Sequence, residues 1–176
     1  MPPPANPYDT VCLRSLIAGQ RDFDYNINYR GSWGGTGAND RLLWLAMVCC
    51  NVLDEYDVNG NLAVDRWGPA FGGLHIMTGY NEEGWWGDGS VEKEFAEDML
   101  GVYAFPIGGS IHLPPRTIVQ AWVNSSQANF CGWPAAMGPL GPSGVCDLRD
   151  FYWGKGSVGP TITPSWKYGW WYMHTP

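Results

Sequence analysis

Apolar residues fall in two unbroken runs near the middle of the chain, residues 42–50 (Leu-Leu-Trp-Leu-Ala-Met-Val-Cys-Cys) and 73–80 (Gly-Leu-His-Ile-Met-Thr-Gly-Tyr). Runs of this length without alternation read as strands buried on both faces, the kind a parallel sheet contains. Residues 23–29 (Phe-Asp-Tyr-Asn-Ile-Asn-Tyr) alternate strictly and predict a half-buried strand. Between the two apolar runs lie a polar loop, residues 54–65, and a short helix over 66–72. Ser90 is placed to cap a helix running to Val102, with Glu92 and Glu94 in its first turn and Phe95, Met99 and Val102 on one face. A further helix is predicted over 115–128, with Pro115 in the first turn and Ile118, Ala121, Trp122 and Ser125 on one side. Residues 130–164 are rich in Gly and Pro and read as irregular, and 165–173 as an aromatic strand or edge segment.

The order of these elements predicts an α/β sandwich, a mostly parallel sheet flanked by helices, with an irregular Gly/Pro/Trp-rich C-terminal part. An all-β fold would leave the two amphipathic helices unexplained. Residues 1–10 form a proline-rich arm, and no linker or repeat divides 11–176, which is read as one domain. The 24 Gly, 14 Pro and 11 Trp imply long loops ordered by aromatic packing rather than by helices. A net charge of −7 argues against nucleic acid or anionic lipid as the main partner. No stretch approaches the roughly 18 apolar residues of a membrane span, and Met1-Pro2-Pro3-Pro4-Ala5 lacks the features of a signal peptide. Among the five cysteines, adjacent Cys49 and Cys50 point to opposite faces of a strand and do not suit a mutual bridge. Cys131 and Cys146 flank a Gly/Pro-rich loop and are candidates for a disulfide. The chain has no CxxC pair of the kind a structural zinc site uses.

Cys50 ends the first apolar run, and the carboxyl end of a buried strand is where an open α/β sheet presents its chemistry. The block Leu43-Trp44-Leu45 to Cys50-Asn51-Val52-Leu53 is followed by Trp67-Gly68-Pro69-Ala70-Phe71-Gly72-Gly73-Leu74-His75-Ile76-Met77-Thr78-Gly79-Tyr80 and Gln120-Ala121-Trp122. Together with Asp150-Phe151-Tyr152-Trp153-Gly154-Lys155-Gly156-Ser157-Val158, it resembles an uncharacterised domain family distantly similar to the caspase-like cysteine peptidases (gingipain, separase and CHAT-type domains). The resemblance implies a caspase-like sandwich with Cys50 at the nucleophile position. It also implies a histidine after the preceding strand, where this chain has Arg30.

A cysteine attacks as thiolate and needs a neighbour that lowers its pKa. Arg30 can stabilise a thiolate but cannot protonate a leaving group, because it is always charged. Gly31, Gly34 and Gly35 offer backbone N–H groups for an oxyanion. His75 opens the strand after that of Cys50, which in a parallel pair separates them by roughly 20 Å, so it reads as structural, with a backbone partner. His112, in the loop before the second long helix, is the better candidate base. The plain structural reading is that Cys49 and Cys50 are small buried hydrophobes. The resemblance therefore implies a cysteine hydrolase, peptidase-like, or an inactive relative, with a peptide, protein or small-molecule ligand.

Asp57, Asn59, Asn61 and Asp65 offer oxygens at alternate positions and make a candidate calcium loop, although Leu62 and Gly68 stand where an EF-hand needs Gly and Glu. No other cofactor is expected. Trp33, Trp85 and Trp86 are candidate stacking residues for a ligand, as are the aromatic residues of 166–172. These residues support the alternative of an aromatic-rich binding or self-assembling module, with carbohydrate as one ligand class.

Overall fold

The computed structural model describes residues 43–48, 50–56, 60, 62–67, 71, 74–81, 90–105, 107–129, 132–140, 148–159 and 168–172. A four-stranded sheet is built from β1 (Trp44–Ala46), β2 (Ile76–Tyr80), β5 (Pro134–Pro139) and β6 (Tyr168–Tyr172), in that spatial order. The short helix α1 (Ala63–Trp67) joins β1 to β2, and α2 (Ser90–Leu100) follows β2. A hairpin, β3 (Val102–Ala104) and β4 (Ser110–His112), leads to α3 (Ile118–Ala128).

β1 and β2 are parallel, with Trp44 opposite Ile76 and Ala46 opposite Thr78. The next two pairings, β2 with β5 and β5 with β6, are both antiparallel. The expectation of a mostly parallel sheet is thus corrected: among the described residues the fold is mixed α/β with one parallel pair. Strand direction has no signature of its own in a buried apolar run, since any strand covered on both faces shows the same pattern.

Both faces of the sheet are covered. Ile76 and Ala136 face α3 through Ile118, Val119 and Val123, with Phe95 and Met99 of α2 beside them. On the other face Met77, Ala135 and Met137 pack against Met47, Val52, Leu53, Trp67, Phe71 and Leu74. Alternate residues of β2 and β5 therefore serve alternate cores, as the period of a strand requires. Trp122 is fully buried between the sheet and α2, edge-on to Phe95, and its indole Nε1–H donates to the Gly79 carbonyl at 3.0 Å.

α3 starts later than the apolar periodicity predicts. Thr117 is its N-cap, and Thr117 and Gln120 bond reciprocally in a capping box. That box satisfies two of the N–H groups orphaned at a helix start and so fixes the boundary. α2 ends at Leu100 because Gly101 takes φ +66°, a left-handed conformation that suits glycine. Val102 consequently belongs to β3 and not to the helix.

Two elements lie where the sequence reads as loop. β5, inside the Gly/Pro-rich stretch, is buried throughout. His112 sits in β4, paired with Val102, and not in a loop. The predicted strand over 23–29, the arm, and Cys131 and Cys146 lie outside the described residues. No described helix is long and apolar enough to cross a membrane.

Candidate functional site

β1 gives way directly to a turn that carries Cys50 past the carboxyl ends of β1 and β2. Met47 N–H still donates to Thr78 O (2.9 Å), and Leu53 N–H reaches Tyr80 O (3.0 Å). The Trp67 indole donates to Val52 O (2.7 Å), and the Glu55 amide donates to Oδ1 of buried Asn81 (3.0 Å). Asn81 is itself held through its N–H to Trp133 O (2.9 Å), just ahead of β5. Val52 and Leu53 are buried, so the turn is pinned from beneath as well as along its backbone.

Gly79 makes this close docking possible. A Cβ at that position would collide with Val52 Cγ1 and stand 3.3 Å from Leu53 Cγ. Within the turn Asn51 takes φ +56°, and its carbonyl accepts from Asp54 N–H at 3.2 Å. A left-handed non-glycine residue is uncommon, and asparagine is among the residues that tolerate it best. Beside it, Cys50 is half-buried and not in a disulfide. The sequence thus folds into a rigid pedestal holding one thiol at the sheet edge.

The other end of the sheet is built around a carboxylate. Asp150 is buried, and its Oδ2 accepts from Trp44 Nε1 and pairs with His75 Nδ1, both at 2.8 Å. Its Oδ1 accepts from the Gly159 amide at 2.7 Å. Because an ionised carboxylate only accepts, Nδ1 of His75 carries the proton. Burial alone pushes the Asp150 carboxyl up, but the bonds from His75, Gly159 and Trp44 outweigh it and hold the group below its ordinary value. Asp150 O also accepts from Ile118 N–H (2.8 Å), so the same residue anchors the start of α3. Tyr152 and Trp153 lie over Trp44, with ring centroids 6.2 and 5.2 Å away.

The His75 ring pairs with the Asp150 carboxylate, a partner that its position in the sequence does not reveal. The backbone N–H of His75 bonds to Leu43 O (2.8 Å) at the amino end of β1. Residues 43 to 47 then span about 13 Å of extended chain before the Cys50 turn begins. His112 lies on the same far side. α2 starts beside Tyr80, through Val91, and ends beside Ile118, through Met99; the hairpin bearing His112 follows that end. Eleven helical residues span about 16 Å, so the pairing of His112 with Cys50 is not formed.

Arg30, Trp33, Trp85 and Trp86 lie outside the described residues, as do Asp57, Asn59 and Asn61. Asp65 falls within α1 rather than on a loop. Among the described residues no three His, Cys, Asp or Glu side chains are grouped to hold a metal ion. A second polar cluster, not expected from sequence, surrounds Asp98. It accepts from Tyr103 OH and from Asn124 Nδ2 (3.2 Å) and lies 3.5 Å from Arg116 Nε. The bond to Asp98, then burial, raise the Tyr103 phenol above its usual range.

Neither the curated proteins nor the solved structures searched contain a match to this chain. The profile of the family Domain of unknown function (DUF6345) matches residues 19–175, and the chain belongs to that family.

Proposed function

We propose that this is a caspase-like domain whose working site is the carboxyl edge of β1 and β2, centred on Cys50, and that this edge engages peptide or protein ligands. The observation that carries the reading is the thiol itself: half-buried, outside any disulfide, and held on a pinned turn just beyond a parallel strand pair. That is the place where an α/β sheet offers its reactive groups. Covalent chemistry there would need a base, and His75 and His112 both belong to the opposite end. The domain is therefore a cysteine hydrolase only if residues beyond those described supply the base, and is otherwise an inactive relative that keeps the ligand edge.

Iodoacetamide labelling between pH 5 and 9, mapped by mass spectrometry, tests the thiol, and a set of peptidyl ketone electrophiles tests the edge. Fast labelling of Cys50 well below its reference pKa of about 8.5 marks an activated thiolate and a hydrolase. Slow labelling with peptide binding that is weakened by Cys50→Trp marks the inactive relative. Slow labelling with no peptide binding defeats the proposal.

A second reading, an aromatic binding surface, is favoured by one observation at the amino end: Trp153 is 59% exposed and Tyr152 39%, side by side over Trp44. It predicts tryptophan fluorescence shifts with glycans that survive Cys50→Ala and vanish in Trp153→Ala.

A further inference from the structure

The hairpin between α2 and α3 exposes an apolar surface that nothing in the described part of the molecule covers. Leu100, Phe105, Ile107, Ile111 and Leu113 are 36, 47, 97, 43 and 50% exposed. Together they present on the order of 500 Å² of apolar surface, at the upper end of what a monomer shows without a partner. Residues 101–115 contain no Asp, Glu, Lys or Arg, in a chain whose net charge is −7. A two-stranded ribbon with only one side docked is marginal in water and gains most from a third strand.

Among the described residues the outer edge of this ribbon is also open. Leu113 N–H bonds to Gly101 O (2.9 Å) and Phe105 N–H to Gly109 O (3.1 Å). In an antiparallel ladder bonded and non-bonded pairs alternate, so the pair Tyr103 and Ile111 bonds inward. The backbone groups of Ser110 and His112 on β4 then point away from β3. All three residues of β4 are exposed. On the face that carries Ile111, strand periodicity also places Phe105 and Leu113.

We infer that this hairpin is a self-association surface, with β4 pairing antiparallel to β4 of a second copy about a two-fold axis near Ile111. The inference is independent of the role of Cys50. Two features favour a second copy over other occupants. An isologous interface needs only a self-complementary patch, which an open edge strand with apolar residues on one face provides. Two chains of −7 each also meet with least repulsion across a stretch that carries no charge. An anionic lipid surface is disfavoured because residues 101–115 carry no Lys or Arg to meet it.

Sedimentation velocity over about a hundredfold range of concentration tests this with three proteins. The wild-type chain should show a reversible monomer–dimer equilibrium. His112→Pro removes an outward N–H while leaving the bonds to β3 intact, and Ile111→Lys places like charges across the axis. Each should weaken the dimer at least about tenfold, with unchanged far-UV and near-UV circular dichroism confirming the fold. A wild-type chain that stays monomeric overturns the inference, as does a dimer indifferent to both substitutions. Co-sedimentation of a monomeric chain with neutral phosphatidylcholine vesicles, lost in Ile107→Ser, would assign the surface to lipid instead and equally overturn it.

Discussion

Replacing Asp150 by Asn keeps the size of the side chain and removes its charge. The wild-type carboxylate accepts from Trp44 Nε1 and Gly159 N and pairs with His75 Nδ1, all within 2.8 Å. An amide has one oxygen. If it stays on Gly159, its NH₂ group faces the Trp44 and His75 donors, and two N–H groups, one part-buried and one buried, lose their acceptor. A hydrogen bond to a charged group contributes about 1.5–3 kcal/mol, and breaking a buried pair by removing one partner costs about 3–5 kcal/mol. Since the losses overlap, Asp150→Asn should cost about 3 kcal/mol at pH 7. For a chain of this length that lowers Tm by about 6–12 °C. Urea denaturation followed by tryptophan fluorescence measures the first number, and calorimetry the second. The pH dependence supplies an internal check. The carboxyl is held below 3.8 in the folded state, so its contribution is fully present above the unfolded value and disappears as pH falls through the folded one. The part of the gap that comes from the carboxylate should therefore close as pH falls below about 4. A variant within about 1 kcal/mol of wild type at pH 7 would refute the idea that this carboxylate organises the amino end of the sheet.

The remaining predictions concern the other parts of the fold. Gly79→Ala should displace Val52 and the turn beneath Cys50, costing about 1–3 kcal/mol and speeding Cys50 alkylation as read by mass spectrometry. Thr78→Val should stabilise by about 1 kcal/mol in urea titration, because the buried Thr78 hydroxyl has no hydrogen-bond partner. Tyr103 has a raised folded pKa, so its contribution is present below the unfolded value and is lost as pH rises through the folded one. Tyr103→Phe should remove a step above the ordinary tyrosine range from the phenolate absorbance titration and flatten stability above about pH 10.

β2 was legible as an apolar run buried on both faces. β1 is instead a three-residue edge strand, part-buried and exposed at Ala46, and not the strand buried on both faces that its apolar run predicts. α2 and α3 were legible from helical spacing, and the predicted face of α3, Ile118, Ala121, Trp122 and Ser125, is buried. β5 was hidden by its own success as a central strand. Ala135, Ala136, Met137 and Gly138 lack the branched and aromatic residues that announce strands, because small side chains let α3 and the opposite core approach closely. Its two prolines, at the first and last positions, are where a paired strand tolerates them. The β3–β4 hairpin is three residues a side, below the length at which alternation can be recognised, and its Gly108-Gly109 tip reads as loop. The union of His75 with Asp150 spans 75 residues and leaves no local trace. A histidine inside an apolar run was the one hint that a buried acceptor had to exist somewhere.

The two ends of the sheet are built for different purposes, and the difference bears on where chemistry belongs. At the amino end both oxygens of Asp150 are committed to Trp44, His75 and Gly159, and its carbonyl to the start of α3. Moving any of these groups breaks the others, so the cluster suits a fastening better than a group that must exchange protons with a ligand. At the carboxyl end the bonds run beneath the turn, through Val52, Leu53 and Glu55, and leave Cys50 half-buried above them. Substitutions at the first end should therefore act on stability while sparing Cys50 reactivity. Gly79→Ala at the second should change that reactivity out of proportion to its cost in stability. Asp150→Asn and Gly79→Ala, compared in one alkylation series under conditions where both are folded, separate a fastening from a site.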